Sequence, residues 1–460
     1  MDASISSLQG NGAENKPKPK PLIVTCTSPI TGHTLPMINI SGYLVDRGYN
    51  VVFLGGSEFK DRIEQVGATF ICIPPFDLEK HKEDRKHLKT WPEQAAYASL
   101  GFCVRPMPER KKALYEALEQ IKEAQPDVEI VLLTETFFLG DHAMGRGAEL
   151  PRGFTRRPRV LSCHLLPYLI DSRDMAPLGF GVVPDGTEEC RRLCASHWES
   201  LRTGPYGEVM VLHAKMLRDL GAVDVEEKQM PLAVGCTSGD ITLQMCPPSL
   251  EYDISDRHPK VRFSGYVQTR GLKKDFQYPS FWPEVTRGDR RIVVVTQGTV
   301  ATEYKDLIIP TLQALAPRSD ILLVAILGRR GASLPAEVAV PPNAHVIDYL
   351  PYEAILPHAD LCISNAGYGG FLQCIMSGVP MVLAGETEDK PEVAARGEYA
   401  GVAINLRTAR PTRDQIVQSV DEMLRDDRYK KRVMQVKQEN EDMKAMDVIE
   451  NAILELAEAV

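Results

Sequence analysis

The chain has 460 residues, too many for one ordinary domain, and its 43% hydrophobic residues supply material for sizeable cores. Its net charge of −9, without a stripe of Lys and Arg interleaved with aromatic residues, excludes general nucleic-acid binding. Because no run of about 18 apolar residues occurs and the opening residues lack an apolar segment, we expect no integral membrane anchor and no secretory signal. These features predict a cytoplasmic protein.

The first 20 residues end in alternating Lys-Pro steps and are predicted to form a disordered tether, residues 1–20. Ten cysteines are scattered along the chain without a Cys-x-x-Cys pair, as is typical of a reducing compartment. Cys190, Cys194 and His197 could share one helical face as zinc ligands, but no fourth ligand stands nearby. Helix packing is the favoured alternative, and no metal ion is expected.

Short apolar runs alternate with amphipathic segments from Pro21 onward, including "LIVTCTS", "VVFLGG", "EIVLLTE" and a long helical pattern around 107–124. A parallel sheet covered by helices on both faces produces continuous apolar strands of this kind. The pattern predicts a doubly wound α/β domain over residues 21–265.

The same alternation restarts with "RIVVVTQGT" and continues through "DLCISNAG" to "GVAINL", which predicts a second doubly wound domain over residues 291–425. Residues 266–290 carry charge and proline without periodicity and are the best linker candidate. Residues 426–460 have helical composition throughout and are expected to form a C-terminal helical segment that packs back on the first domain. Two such domains would face each other across a cleft at the carboxyl ends of both sheets, where ligands bind.

The segment "NAGYGGFLQCIMSGVP" places three glycines, Gly367, Gly369 and Gly370, at the start of a predicted helix that follows a strand. Glycines there let main-chain N–H groups approach an anion closely, and the positive end of the helix dipole favours its charge. A tight turn with close helix packing is the alternative. A second strand end in the same half offers Gly298 and Thr299, so two turns on one rim would suit a diphosphate. Neither a G-x-G-x-x-G fingerprint nor a Walker pattern is present.

In the first half, "TSPITGHTLP" puts His33 in the turn between the first strand and the first helix, and Glu135 ends the strand "EIVLLTE". Both are expected at the cleft. A histidine held by a carboxylate is a capable general base, because the carboxylate fixes its tautomer and stabilises the imidazolium. A capping or packing histidine is the alternative. Apolar residues in nearby loops are candidates for an acceptor wall, with core packing as their alternative: Phe102, Met107, Met175, Leu178 and Phe180.

The segment from Tyr349 through Asn405 resembles the nucleotide-sugar signature of the family 1 UDP-glycosyltransferases, particularly their fungal and macrolide-modifying branch. "TGHTLP", "SRDMAPLGFGVVP" and "VVVTQGTVAT" are similar to the same branch, and the motifs fall in the expected order. The resemblance implies a GT-B fold of two Rossmann-like domains, with the acceptor in the first domain, the UDP-sugar in the second, and a C-terminal helix crossing back to the first.

The resemblance also implies roles for individual residues. His33 would be the general base, supported by Glu135, although the family pattern leads us to expect an aspartate there. The implied donor site comprises Gly32, Gly298, Thr299, Tyr349, Leu350, Asn365, Gly367, Gly369, Gly370, Gln373, Asp389 and Lys390. Tyr349 would stack on uracil, Gln373 would bind ribose, and Asp389 with Lys390 would bind sugar hydroxyls. Lys390 departs from the glutamine of plant members, and Asn365 from their histidine.

The implied reaction is inverting, metal-independent transfer of a hexose, glucose in the first instance, to a hydrophobic phenolic or polyketide-like acceptor. No cofactor is expected beyond the UDP-sugar co-substrate, and the chain is expected to be a monomer or a weak homodimer. Three alternatives stay open: a non-catalytic nucleotide-sugar-binding subunit that needs a partner, a C-glycosylating variant of the same enzyme, and a UDP-sugar epimerase or hydrolase.

Overall fold

The structure, a computed structural model, describes residues 19–85, 87–272, 275–298 and 303–459. Strands of the first sheet are β1 (Leu22–Cys26), β2 (Val51–Gly55), β3 (Thr69–Cys72), β4 (Ile130–Glu135), β5 (Arg159–His164), β6 (Ile241–Gln244) and β7 (Val261–Phe263). Strands of the second are β8 (Arg291–Thr296), β9 (Ile321–Ile326), β10 (Ala344–Ile347), β11 (Leu361–Ser364), β12 (Met381–Leu383) and β13 (Ala403–Asn405).

The helices of the first half are α1 (Thr31–Asp46), α2 (Lys60–Gln65), α3 (Leu78–Arg85), α4 (Trp91–Ser99), α5 (Met107–Ala124), α6 (His142–Gly145), α7 (Glu188–Thr203), α8 (Pro205–Asp219) and α9 (Pro231–Gly235). Those of the second half are α10 (Trp282–Arg287), α11 (Ile308–Leu315), α12 (Tyr352–Ile355), α13 (Tyr368–Ser377), α14 (Lys390–Tyr399), α15 (Arg413–Arg425), α16 (Arg428–Met443) and α17 (Ala445–Glu458).

Both sheets are parallel throughout. Their strand orders are β3-β2-β1-β4-β5-β6-β7 and β10-β9-β8-β11-β12-β13. Alternate residues of a strand pack into different cores: Val293 joins one cluster while Val294 joins another on the opposite face of the sheet. Burial on both faces explains the unbroken apolar runs in the sequence. The predicted pair of doubly wound α/β domains is confirmed.

The order of strands reverses between β1 and β4 in the first sheet and between β8 and β11 in the second. Neighbouring connections leave such a switch point in opposite directions, which opens a crevice at the carboxyl ends of the two strands. All four strands end at candidate site residues: His33 follows β1, Glu135 ends β4, Gly298 follows β8 and Asn365 follows β11.

The two helices at the end of the chain divide between the domains. α16 packs on the second domain through Val433 and Val436, whereas α17 packs on β4 and β5 of the first through Ile449 and Ile453. The change of direction occurs at Lys444, whose φ of 52° is left-handed. The crossing back to the first domain, predicted for residues 426–460, is made by α17 alone, whereas α16 stays on the second domain. Within the predicted linker, α10 packs against the second domain.

Candidate active site

His33 and Glu135 contact each other at the switch point of the first sheet. The distance from His33 Nδ1 to Glu135 Oε2 is 2.7 Å, and both residues are buried. His33 lies in the first turn of α1 rather than in the turn before it, because Ile30 already has extended N-cap geometry and the helix begins at Thr31. With Nδ1 donating to the carboxylate, Nε2 is the nitrogen free to accept a proton.

Glu135 is held by the main chain as well as by the imidazole. Its Oε1 accepts the N–H of Ser28 at 2.7 Å, and its Oε2 also accepts the N–H of Phe137 at 2.9 Å. Burial alone would raise the pKa of Glu135, but the charge and hydrogen bond of His33, with the two N–H donors, outweigh it and lower the pKa. The longer side chain thus reaches the imidazole and stays ionised.

Phe137 is a site residue that the sequence reasoning missed. Its ring stacks on the His33 ring, with centroids 4.1 Å apart and 22° between the planes, and Phe102 lies 6.1 Å beyond it in a nearly parallel orientation. The stack and the Glu135 hydrogen bond together fix the imidazole plane. An aromatic residue two positions after a strand-ending acid was the available signal.

The three predicted phosphate-binding glycines, Gly367, Gly369 and Gly370, lie between the end of β11 and the first turn of α13. The helix begins at Tyr368 with Gly367 as its N-cap, and none of the described side chains caps it. A Cβ atom built at Gly369 would meet no described atom within 4 Å, so the described residues leave the space beside this N–H group open. At Gly370 a Cβ would lie 3.3 Å from the Tyr352 ring, which assigns that glycine to close packing.

Gly298 and Asn365 bring the two turns of this rim together. Gly298 has a left-handed φ of 69°, and a Cβ built there would lie 4.0 Å from Asn365 Oδ1. Asn365 Nδ2 donates to the Gln297 carbonyl at 2.8 Å, so one of its N–H groups joins the two turns instead of facing the open space. Thr299 lies outside the described residues. Gly32, across the cleft in the first turn of α1, is exposed.

The predicted nucleoside residues differ in exposure. The Tyr349 side chain is 38% exposed, and the Arg330 guanidinium lies 4.7 Å from its ring centroid, a cation–π contact that the sequence reasoning did not anticipate. Leu350 is buried in the core of the second domain, which leaves only its main-chain atoms for a ligand. Gln373 is partly exposed on α13. Binding of uracil and ribose by these residues stays a prediction.

Asp389 and Lys390 lie at the start of α14. Burial raises the pKa of Asp389 to about 6, and the charge of His33 opposes that rise. Burial lowers the pKa of Lys390 to about 7, and Arg85 adds to the lowering. Two neighbouring titratable groups at the start of α14 thus have pKa values moved toward neutrality.

Glu388, just before them, is a contact between domains that was not predicted. Its carboxylate pairs with Arg85 of α3 and with Lys390, and its carbonyl oxygen accepts the Trp91 indole N–H at 3.1 Å. The predicted sugar-binding turn is therefore attached to the first domain. These partners lie on α3 and α4, two helices that the sequence reasoning did not predict.

Four of the five predicted acceptor residues belong to or pack against one hydrophobic cluster, and Phe180 packs against another. Phe102 lies in a π-helical turn between α4 and α5, and Phe180 packs against Trp91 and His197. Met107, Met175 and Leu178 are 0, 2 and 8% exposed and belong to one buried cluster. Core packing accounts for the two methionines in this structure, and an acceptor wall at Phe102 and Phe180 stays a prediction.

Cys190 and Cys194 pack with Ala176, Phe180 and Val182, and within residues 19–85, 87–272, 275–298 and 303–459 no group of three His, Cys, Asp or Glu side chains is placed to hold a metal ion. The same part of the chain contains no helix that is both long and apolar enough to cross a membrane.

Comparison with known proteins identifies the family. The model of the erythromycin biosynthesis protein CIII-like C-terminal domain matches residues 316–454. UDP-glucosyltransferase 1 of Beauveria bassiana is 49% identical over 438 residues, which cover 95% of each chain. The chain belongs to the family 1 UDP-glycosyltransferases. UDP-glucosyltransferase B1 of Starmerella bombicola is 36% identical over 450 residues, covering 95% of this chain and 99% of the relative.

Solved structures agree with the GT-B fold of this UDP-glycosyltransferase. The glycotransferase of kitacinnamycin superimposes with a TM-score of 0.70 at 18% identity, covering 95% of this chain and 99% of the other. CalG4, the calicheamicin glycosyltransferase, gives a TM-score of 0.68 at 16% identity over 96 and 99% of the two chains. The resemblance stated from the motifs, the GT-B fold and the assignment as a glycosyltransferase are confirmed.

Proposed function

We propose that this UDP-glycosyltransferase transfers a hexose, glucose in the first instance, from a UDP-sugar to a hydroxyl of a hydrophobic small molecule, with inversion and without a metal ion. The observation that carries the proposal is the His33–Glu135 pair at one switch point, opposite the uncapped, glycine-lined start of α13 at the other. The names of the two fungal relatives support a UDP-sugar donor, and specifically glucose.

In the proposed reaction His33 Nε2 takes the proton of the acceptor hydroxyl as that oxygen attacks the anomeric carbon. The new C–O bond forms on the face opposite the departing diphosphate, so the anomeric configuration inverts. Glu135 stabilises the imidazolium that results, and Phe137 keeps the ring in place.

The leaving UDP carries away the electron pair of the broken bond to the anomeric carbon. We infer that the main-chain N–H groups at the start of α13 meet the charge that develops on its diphosphate, with help from Gly298. Charge stabilisation by fixed N–H donors lowers the barrier because the donors need no reorganisation during the reaction. Asp389 and Lys390 are proposed to hold the sugar hydroxyls.

Phe102 and Phe180 support an aromatic or otherwise flat apolar acceptor, because both belong to clusters of rings close to the cleft. A phenolic or polyketide-like compound fits that surface.

The proposal is tested by incubating the enzyme with UDP-glucose and a panel of phenols, and measuring UDP, glycoside and anomeric configuration with and without chelator. His33→Ala should lose glycoside formation by about 10²- to 10⁴-fold. His345→Ala is the matched control, because His345 lies away from the cleft, where its Nε2 is 3.0 Å from Glu284 Oε1. This variant should retain wild-type activity.

Each other result identifies an alternative. Tight UDP binding without product from any acceptor would favour a non-catalytic subunit. Release of UDP or a changed sugar without acceptor would favour a hydrolase or an epimerase, and a carbon-linked product would favour the C-glycosylating variant.

A further inference from the structure

One face of α14 lies against the first domain along its whole length. Glu392 Oε2 accepts the N–H of Gly181 at 3.1 Å, and the Tyr399 ring meets Tyr252 edge-on at 5.1 Å. Gly181 has a left-handed φ of 62°, and a Cβ there would lie 3.1 Å from the Pro391 carbonyl oxygen, so glycine suits this close approach. Although α14 belongs to the second domain by its chain position, it is held from both sides.

Arg396 is the centre of this interface. Its side chain is 1% exposed, and its Nε donates to Glu251 Oε2 at 2.6 Å. A second nitrogen donates to Glu392 on the same helix, and a third to the Tyr168 carbonyl at 2.9 Å. The guanidinium also lies over the Tyr252 ring, 4.3 Å from its centroid. Three of these four contacts come from the first domain.

A buried ion network of this kind is a poor source of stability, because desolvation of the charges offsets most of their attraction. Its geometry is nevertheless strict: the planar guanidinium has fixed donor directions, and a buried carboxylate that loses its partner is costly. Arg396 therefore permits one relative placement of α14 and Glu251.

The sugar-binding turn lies between two attachments of this helix to the first domain. Glu388, on one side of Asp389 and Lys390, binds Arg85 and Trp91. Glu392, on the other side, accepts the N–H of Gly181 in the first domain and pairs with Arg396 on its own helix. Gly181 directly follows Phe180, a predicted acceptor residue, so the acceptor loop itself contacts the helix that presents the sugar-binding groups.

We propose that Arg396 is a positioning residue for sugar transfer: through Glu251 it sets Asp389 and Lys390 relative to His33 across the domain interface. The inference rests on the proposed function. The proposal predicts that changes at the interface alter sugar binding and transfer. They should leave binding of the UDP portion, at α13 and Tyr349, unaffected.

The test uses the full-length enzyme and two variants that keep the interface filled, Arg396→Lys and Glu251→Gln. Glu398→Gln is the matched control. Glu398 lies on α14, as Arg396 does, but it pairs at 2.7 Å with Arg407, which follows β13 in the second domain. For each variant, kcat and KM for UDP-glucose, the dissociation constants of UDP and UDP-glucose, and the melting temperature are measured.

Both interface variants should lose about tenfold or more in kcat, in line with a small misplacement of a reacting group, while the dissociation constant of UDP stays within about twofold. Binding of UDP-glucose should become weaker while binding of UDP does not. A purely structural role of Arg396 would not change the ratio of these two dissociation constants. In the double variant of Glu251→Gln with Asp389→Asn, the loss should not exceed that of Asp389→Asn alone, because both changes act on the same contact.

The proposal would be overturned if the dissociation constants of UDP and UDP-glucose rose equally, or if both interface variants kept the wild-type kcat. If Arg396→Lys does not fold, Glu251→Gln alone decides between these results. Failure of the wild-type enzyme to form glycoside would instead refute the proposed function, so the two failures are distinguishable.

Discussion

Replacing Glu135 by aspartate tests whether the active site of this chain is matched to the longer acid. The family pattern leads us to expect aspartate at this position, so a substitution toward the family would be harmless if only the charge mattered. In the structure, however, the Glu135 carboxylate is bound by three groups at once: His33 Nδ1 at 2.7 Å and the N–H groups of Ser28 and Phe137 at 2.7 and 2.9 Å.

Aspartate lacks one methylene, which withdraws the carboxylate by about 1.5 Å, the length of one C–C bond. The two N–H donors belong to the main chain at the ends of β1 and β4 and cannot follow. Misplacement of a catalytic group by about 1 Å costs on the order of a hundredfold in rate, or about 2.7 kcal/mol in the activation barrier. We therefore expect kcat of Glu135→Asp to fall by about a hundredfold.

The assay measures kcat with UDP-glucose at saturating acceptor, below the melting temperature of each variant. Glu135→Gln, which keeps the length and loses the charge, should fall by about tenfold or more, and His33→Ala sets the lower limit of activity. A folded Glu135→Asp enzyme with kcat within about twofold of the wild type would refute the reasoning, because the three-way contact would then have no bearing on the imidazole.

Three further predictions follow from the second domain and the interface. Gly369→Ala should raise KM for UDP-glucose by about tenfold without lowering the melting temperature, because its Cβ enters the open space beside the N–H groups and alanine favours helix; an unchanged KM would place the diphosphate elsewhere. Gly370→Ala should instead lower the melting temperature, since its Cβ meets the Tyr352 ring at 3.3 Å; unaltered stability would contradict the packing role. Asp389 has a folded-state pKa raised to about 6, so ionisation of its carboxyl opposes folding as pH rises through that value. In thermal unfolding, Asp389→Asn should therefore stabilise the protein more at pH 8 than at pH 5. An equal gain in stability at both pH values would contradict the raised pKa.

The sheets and the long helices were predictable because their residues obey one period over many positions. The pattern around 107–124 predicts α5, which spans Met107–Ala124, with Pro108 in the first turn where a missing N–H costs nothing. Strands such as β9 are buried at every position and read as continuous apolar runs. The pairing of His33 with Glu135 was inferred from their positions at the carboxyl ends of two predicted strands and from the family resemblance, and the two residues are in contact in the structure.

Contacts between the domains could not be predicted in the same way. Arg85, Trp91, Glu388 and Arg396 lie on short helices and turns whose sequences carry no period that distinguishes an interface from a solvated face. The sequence of α3 is too polar to suggest that the helix packs against another element, yet its last residue, Arg85, pairs with Glu388 in the turn before α14. Tertiary placement decides these partners, and Met107 illustrates the converse error, an apolar residue that proved to be core.

The position of α17 has a consequence for biosynthesis and for engineering. Ile449, Ile453 and Leu456 of α17 complete a core whose buried members outside this helix all lie in the first three-fifths of the chain. The nascent first half therefore leaves the ribosome with an uncovered apolar face and stays incomplete until the final helix emerges. Chimeras that exchange only residues 21–265 between relatives should aggregate more than chimeras that carry their own last helix with them.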